Sequence, residues 1–412
     1  MSREVSPAHK ETETASVSPR RLSLVMLLFY LAAGAHIPII SLYLTRTLGF
    51  SGAQTGAVLS MSALSALAAP LVGSFIADRL VSSERLLAYS QILSGFLMFL
   101  LTLQERFIPV LIIYLLYKMI FQPGVAVTNA IVFHHSPDST RQFGGIRKWG
   151  TIGWILAGWF FSLFWLRLAG GAISDALYFT SLSSILLGVY SLSLPAGRRD
   201  APRREQLFPR AALKLFGTPA IAGTALAGFF IQLVDKYYYF GTGPFLQDIG
   251  FSEALIMPIM TIGQITEVIF LALLGGILTR FGFRKTLMFG ALMEVGRFFC
   301  FALVGWKYFA VVGILFHGPA FALFFSGAFI FIDSFTDEES RAGVQQLFSL
   351  VSVGLGNVAG SFIAGFMYDH YTGFEAAGEV AYTPFWLVPM GISAAVVVGF
   401  CLIRLSSGRV NT

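Results

Sequence analysis

The sequence predicts an all-α membrane protein of twelve transmembrane helices in two pseudo-symmetric halves of six. Three observations lead there. The 412 residues are 56% hydrophobic and only 12% charged, with a mean hydropathy of +0.73, whereas soluble domains carry about 25% charged residues. Apolar runs long enough to cross a bilayer, about 20 residues each, recur along the chain. Lys and Arg are distributed asymmetrically over the connections between those runs.

The runs fall at 22–44, 52–76, 86–103, 109–133, 148–167, 174–194, 217–240, 253–278, 286–304, 308–334, 343–368 and 381–404. Residues 1–21 are polar, and the run that follows has membrane length rather than the short core of a cleavable signal, so it reads as span 1. Many spans carry Gly, as at Gly150, Gly153 and Gly158 or Gly354, Gly356 and Gly360, which lets neighbouring helices approach closely. The alternating ten-residue segments of a membrane β-barrel are absent.

With the N-terminus inside, 21 of the 28 Lys and Arg fall on the cytoplasmic side. Only Arg46, Arg106, Arg167 and Lys307 fall opposite, and Lys118, Lys236 and Arg297 lie inside spans. That bias sets topology, with both termini cytoplasmic in a multi-pass protein of the cell inner membrane. It also accounts for the net charge of +6 without a nucleic-acid partner. The expected organisation is a tail 1–21, a six-helix half 22–194, a linker 195–216 holding Arg198, Arg199, Arg203, Arg204 and Arg210, a second half 217–405 and a tail 406–412.

A weak repeat supports the division. Span 2 ends in Gly73-Ser-Phe-Ile-Ala-Asp78-Arg79, and span 8 in Gly276-Ile-Leu-Thr-Arg280-Phe-Gly282-Phe-Arg284-Lys285. Two six-helix halves with matching loops resemble the layout of major facilitator transporters. No phosphate-binding loop is present, so ATP is not the expected energy source. Cys300 and Cys401 fit no metal spacing and read as packing residues. No metal, cofactor or catalytic residue is expected.

Ionisable groups at membrane depth are costly and therefore candidates for function. Gln264 and Glu267 are three apart on span 8 and share a face. Gln232 and Asp235 repeat the spacing on span 7, where Lys236 and Tyr237–Tyr239 also read as a snorkelling cation and an interfacial belt. Asp235 and Lys236 are adjacent and read as poor mutual partners. Arg147, Thr151 and Trp154 share one face of span 5 at i, i+4 and i+7, although Arg147 reads equally as a positive-inside anchor. His317 and Phe321 share a face of span 10 beside Gly318-Pro319, a pair that permits a kink; His317 reads equally as a hydrogen-bonded structural residue. Glu294 and Arg297 read as a structural pair, and Asp333 with Arg341 as a gate pair. His36 and Lys118 are isolated, and neither they nor Asn129 in span 4 point to one role.

Gly145-Ile-Arg147-Lys-Trp-Gly-Thr151-Ile-Gly-Trp154 resembles the start of span 5 in the nucleoside:proton symporter family. Gln232-Leu-Val-Asp235, Gly263-Gln264-Ile-Thr-Glu267, His317-Gly-Pro-Ala-Phe321 and Arg341-Ala-Gly-Val-Gln345 resemble other segments of that family in the same order. The resemblance implies a substrate site of Arg147, Thr151, Trp154, Gln232, Asp235, Gln264, Glu267, His317 and Phe321. The chain departs from the family where Asp235 replaces Asn, His317 replaces Tyr, Trp154 replaces Phe and Ala322 replaces an acidic residue. The implied function is proton-coupled uptake of a nucleoside-like polar solute by a monomer in the lipid bilayer, with Glu267, Asp235 and His317 as proton-coupling groups. The alternatives are another substrate (a sugar conjugate, organic acid or drug), a membrane-embedded enzyme, or a sensor that does not transport.

Overall fold

A computed structural model describes the backbone of residues 17–79, 82–135, 139–195, 210–337, 340–372 and 380–402, with side chains except at 66–79, 139–141, 210–212 and 342. The expected linker (apart from 195 and 210–216), the tail 406–412 and most of the tail 1–21 lie outside the described residues. So do the side chains of Asp78 and Arg79.

Among the described residues the chain is helical apart from connections and one isolated bridge between Thr372 and Val380. Lipid offers no partner to a bare N–H or C=O, so a spanning segment must satisfy its backbone internally. The helices are α1 (Pro19–Thr47), α2 (Gly52–Arg79), α3 (Ser83–Thr102), α4 (Phe107–His135), α5 (Ser139–Trp159, continuing through Phe160–Leu166) and α6 (Asp175–Leu192). After a short helix at Arg210–Phe216 come α7 (Pro219–Asp248), α8 (253–281), α9 (283–302), α10 (Lys307–Asp333), α11 (Gly343–Tyr371) and α12 (Tyr382–Leu402). Among the described residues nine helices are long and apolar enough to cross a membrane, and one of these, Glu253–Ala302, contains both α8 and α9. The helices α2 and α7 are 28 and 30 residues long and stand where spans 2 and 7 are expected.

Three boundaries differ from expectation. The loop expected after span 8 shrinks to one residue, Gly282, at φ 74° and ψ 167°. Only glycine takes that backbone conformation freely, so the long helix reverses there without a longer connection. Span 5 begins at Ser139 rather than near Lys148, which sets Arg147 two turns inside the helix. The Arg147 guanidinium, half-buried, lies 4.3 Å from the centre of the Tyr30 ring. Span 7 runs on to Asp248, through Pro244.

Small residues set the closest helix pairs. Gly153 and Gly34 bring α5 against α1, and Gly356 and Gly360 bring α11 against α7. At one end of the bundle, α2 meets α11 through Gly52 and Gly56 against Gly365 and Ser361, where any added Cβ would collide with backbone. The Asp369 carboxylate of α11 accepts from the backbone N–H of Gly52 (2.5 Å) and Ala53 (2.7 Å), the first turn of α2. A carboxylate suits that position because a helix start carries free N–H groups and the positive end of the dipole. Nearby, Arg46 pairs with Asp248, Tyr382 donates to Asp248 (2.8 Å), and Ser41 donates to the Phe240 carbonyl.

The opposite end is different among the described residues. There Arg21 and Arg85 bond to Ser193 and Leu192 of the α6 end, Arg284 bonds to Phe400 and Cys401 of α12, and Arg341 pairs with Asp333 at 2.9 Å as expected. These contacts stay within α1–α6 or within α7–α12. The bundle is thus bolted shut at the α1–α2 end. Asp369→Ala should weaken that closure by about 1 kcal/mol, roughly a fivefold shift in population. In an Asp369→Ala background a cysteine placed at Ser41, which is 1% exposed, should react faster with a polar thiol reagent; an unchanged rate would refute the latch.

Candidate functional site

The i, i+4, i+7 spacing on α5 places Arg147, Thr151 and Trp154 along one wall of a central cavity of about 160 Å³. The i, i+3 spacing on α8 places Gln264 and Glu267 on another. Five of the nine expected substrate residues therefore meet in one place. Tyr30 from α1, Tyr239 from α7 and Val268 complete the lining. The cavity combines a guanidinium, a carboxylate, an amide, a hydroxyl and three aromatic rings. That set suits a planar heterocycle bearing hydrogen-bonding edges and hydroxyls: aromatic faces stack, Arg and Gln read edges, and a carboxylate accepts from hydroxyls.

Tyr30 and Tyr239 were not singled out in the sequence. Tyr30 sits in a run of apolar residues with nothing to mark it. Tyr239 belongs to the run expected to form an interfacial belt, and that expectation is overturned. Tyr237 and Tyr238 are fully buried, and the Tyr237 hydroxyl donates to the Phe385 carbonyl (2.9 Å). The three tyrosines face protein because α7 is enclosed by α11, α12 and α10.

The other four expected residues lie off the cavity wall. Gln232 donates to Asn357 on α11 (2.6 Å) and lies 3.5 Å from Asp235. Asp235 pairs with Lys236 at 3.2 Å, contrary to the expectation that neighbours along a helix diverge too far. Lysine has four methylenes to curl back with, and here the ammonium also sits 4.8 Å above the Tyr239 ring. His317 is 2% exposed, stacked on Tyr238 (5.2 Å between centroids) and edge-on to Tyr239 (6.0 Å). Phe321 joins an apolar cluster and faces Phe325 (5.5 Å).

Arg297 joins these groups to α9. Its guanidinium donates to His317 Nδ1 (2.6 Å) and pairs with Glu294, all within the buried core. An accepting Nδ1 identifies His317 as the neutral tautomer with its proton on Nε2, an assignment made from the hydrogen-bond network. Removing one partner of a buried ion pair costs about 3–5 kcal/mol, because the other charge is stranded. His36 and Lys118 are not isolated either. His36 Nδ1 donates to the Ala32 carbonyl (3.1 Å), which leaves Nε2 to accept from Lys118 (3.4 Å). Tyr114 and Tyr117 flank that ammonium at 5.3 and 5.5 Å.

Span 10 is interrupted at Phe316, just before the Gly318-Pro319 pair expected to permit a kink. A short helix, His317–Ala320, gives way to a π-helical stretch, Phe321–Ser326. Gly318 packs so closely on the α8 backbone that a Cβ there would collide with Thr266 and Glu267. His317 itself lies against Gly263. Movement in α10 thus reaches the turn of α8 that carries Gln264 and Glu267.

Comparison with known proteins places this geometry in context. A family model described as "Nucleoside H+ symporter" matches residues 17–407. The chain is 28% identical to the putative nucleoside transporter YegT of Escherichia coli, over 86% of this chain and 85% of that protein. It is 26% identical to the xanthosine permease of the same organism, over 92% and 94%. A crystal structure of the nucleoside transporter NupG superposes with a TM-score of 0.82 at 23% identity, covering 93% of this chain and 98% of that one. The fold is therefore that of the major facilitator transporters.

The Gln232–Asn357 bond ties α7 to α11 beside the cavity. Asn357→Ala should leave the buried Gln232 amide with only its long 3.5 Å contact to Asp235, at a cost of about 1–3 kcal/mol. Thermal unfolding of the purified protein in detergent should show a lower midpoint, and a midpoint equal to that of the parent protein would mean that the bond carries no stability.

Proposed function

The chain belongs to the nucleoside H+ symporter family, and from that premise we propose that it takes up a nucleoside, or a closely similar polar solute, together with protons by alternating access. The observation that carries the reading is the convergence of Arg147, Thr151, Trp154, Gln264 and Glu267 on one cavity. Trp154, with Tyr30 and Tyr239, stacks the base. Arg147 and Gln264 address base edges, and Glu267 accepts from the ribose hydroxyls. Gln232, Asp235, His317 and Phe321 form the support behind that wall and meet the substrate as the halves close. The xanthosine permease relative makes an oxidised purine nucleoside the first substrate to try.

The reading includes twelve crossings, two six-helix halves joined by 195–216, a monomeric unit and cytoplasmic termini in the inner membrane, supported by the charge bias. In that orientation the latched α1–α2 end faces outward, and the structure is the outward-closed state. Glu267, Asp235 and His317 are the coupling groups, since position 322 is Ala.

Proteoliposomes with an imposed proton gradient test this. Labelled nucleosides should accumulate, and Glu267→Gln or Arg147→Gln should reduce flux about tenfold to a hundredfold, the worth of one charge-assisted hydrogen bond. If the parent protein moves no nucleoside, or if its flux is indifferent to both substitutions, the assignment fails.

A further inference from the structure

The geometry points to Glu294 on α9 as a proton-binding residue of the transport cycle, with Arg297 as the positioning residue that expels its proton. This deepens the proton-coupled reading above and rests on it. Glu294 is 1% exposed and lies off the wall of the substrate cavity. Its ion-pair partner is Arg297, which also donates to His317 Nδ1 and lies 4.3 Å from the centre of the Tyr238 ring. The Arg297 Nε is buried without a partner, which costs free energy that a fully satisfied pair would not carry. Arg297 thus holds its carboxylate with part of its fork and has a donor left over.

A second buried carboxylate, Asp235 on α7, lies one helix turn from Tyr238 and Tyr239, the rings that pack on Arg297 and His317, and is itself held by Lys236 at 3.2 Å. The charged and titratable groups that act on Glu294 are Arg297 on its own helix and Asp235 and Tyr238 on α7; His317 on α10 meets Arg297, and Lys236 meets Asp235. The helix α12, which packs on α9 through Trp386 against Phe298, carries no charge over its described length. Two anions, Glu294 and Asp235, here face two cations, Arg297 and Lys236. With Glu294 ionised the four charges cancel; a proton on Glu294 leaves the cluster with one net positive charge, and Asp235 is then the one carboxylate of the four groups that Arg297 and Lys236 can share. A proton arriving on Glu294 releases Arg297 toward Asp235; the return of Arg297 sends that proton off Glu294. The structure, with Glu294 and Arg297 joined, is the state after release. The shift draws Arg297 away from His317, and His317 and Gly318 bear directly on the backbone at Gly263 and Glu267. Proton occupancy is thereby felt at the substrate wall without a titratable group at position 322.

The test separates coupling from binding. In proteoliposomes Glu294→Gln should lose gradient-driven accumulation by about tenfold or more, as expected for an intramembrane proton carrier. Counterflow exchange of labelled nucleoside should stay within about twofold of the parent and lose its dependence on pH. Substrate-driven proton entry, read with a trapped pH dye, should vanish. Glu294→Gln strands Arg297, so the double variant Glu294→Gln/Arg297→Gln, which removes both charges, is measured alongside it and should show the same split. Accumulation and proton entry at parental levels in either variant would overturn the proposal. So would loss of exchange in a double variant that retains a parental unfolding midpoint, because the pair would then serve substrate binding. Failure of the parent protein to exchange nucleoside would instead count against the transport assignment.

Discussion

A bilayer gives a buried charge nothing to lean on except protein. That constraint organises the second half of this molecule. Glu294, Arg297, Asp235 and His317 are each at most 6% exposed, and Lys236 reaches in to join them. Each helix that contributes a member must present it at one rotation and one depth, since a misplaced member strands its partner. The network therefore fixes α7, α9 and α10 about their axes. Fixing α7 aims Tyr239 at the cavity, and fixing α10 seats Gly318 on α8, which in turn sets the faces of Gln264 and Glu267. The cavity wall inherits its geometry from charges it does not contain.

The cavity follows the opposite rule. Arg147 stands on α5 and Glu267 on α8, on facing walls of one space, and no ion pair joins them among the described residues. Arg147 rests on the Tyr30 ring instead. Two opposite charges held apart by a gap form a site whose best occupant is a neutral molecule with both donors and acceptors, because each charge then finds a partner without an extra ion. Aromatic rings on three helices restrict that occupant to something flat. A buried charge cluster and an open cavity thus both border Tyr239.

Much of this was legible in the residues. Periodicity placed Arg147, Thr151 and Trp154 on one face, and Gln264 and Glu267 on another, since a helix offers only one direction every 3.6 residues. Pairs within a helix, such as Glu294 with Arg297, could be read by the same rule. What could not be read was anything that depends on which helices touch. Tyr30 and Tyr239 reach the cavity because of packing between helices far apart in the chain. Asn357 meets Gln232 for the same reason, and Lys118 meets His36 across 82 positions. Adjacency on the helix separates Asp235 and Lys236 at Cβ, yet the flexible lysine stem returns Nζ to within 3.2 Å of the carboxylate, which spacing alone does not reveal. The loop at Gly282 was overestimated because a single left-handed glycine does the work of several residues.

The meeting of α2 with α11 at Gly52, Gly56 and Gly365 has a mechanical meaning as well. Backbones in direct contact resist compression but oppose rotation weakly, so the point where two rigid bodies touch most closely is a natural fulcrum. The helix α2 runs 28 residues from that point, about 40 Å at 1.5 Å per residue. A tilt of about ten degrees about the glycine contact would carry its far end roughly 7 Å over that length, while the near end barely shifts. Closure at one face of the membrane then becomes leverage at the other, and residues without side chains set the ratio.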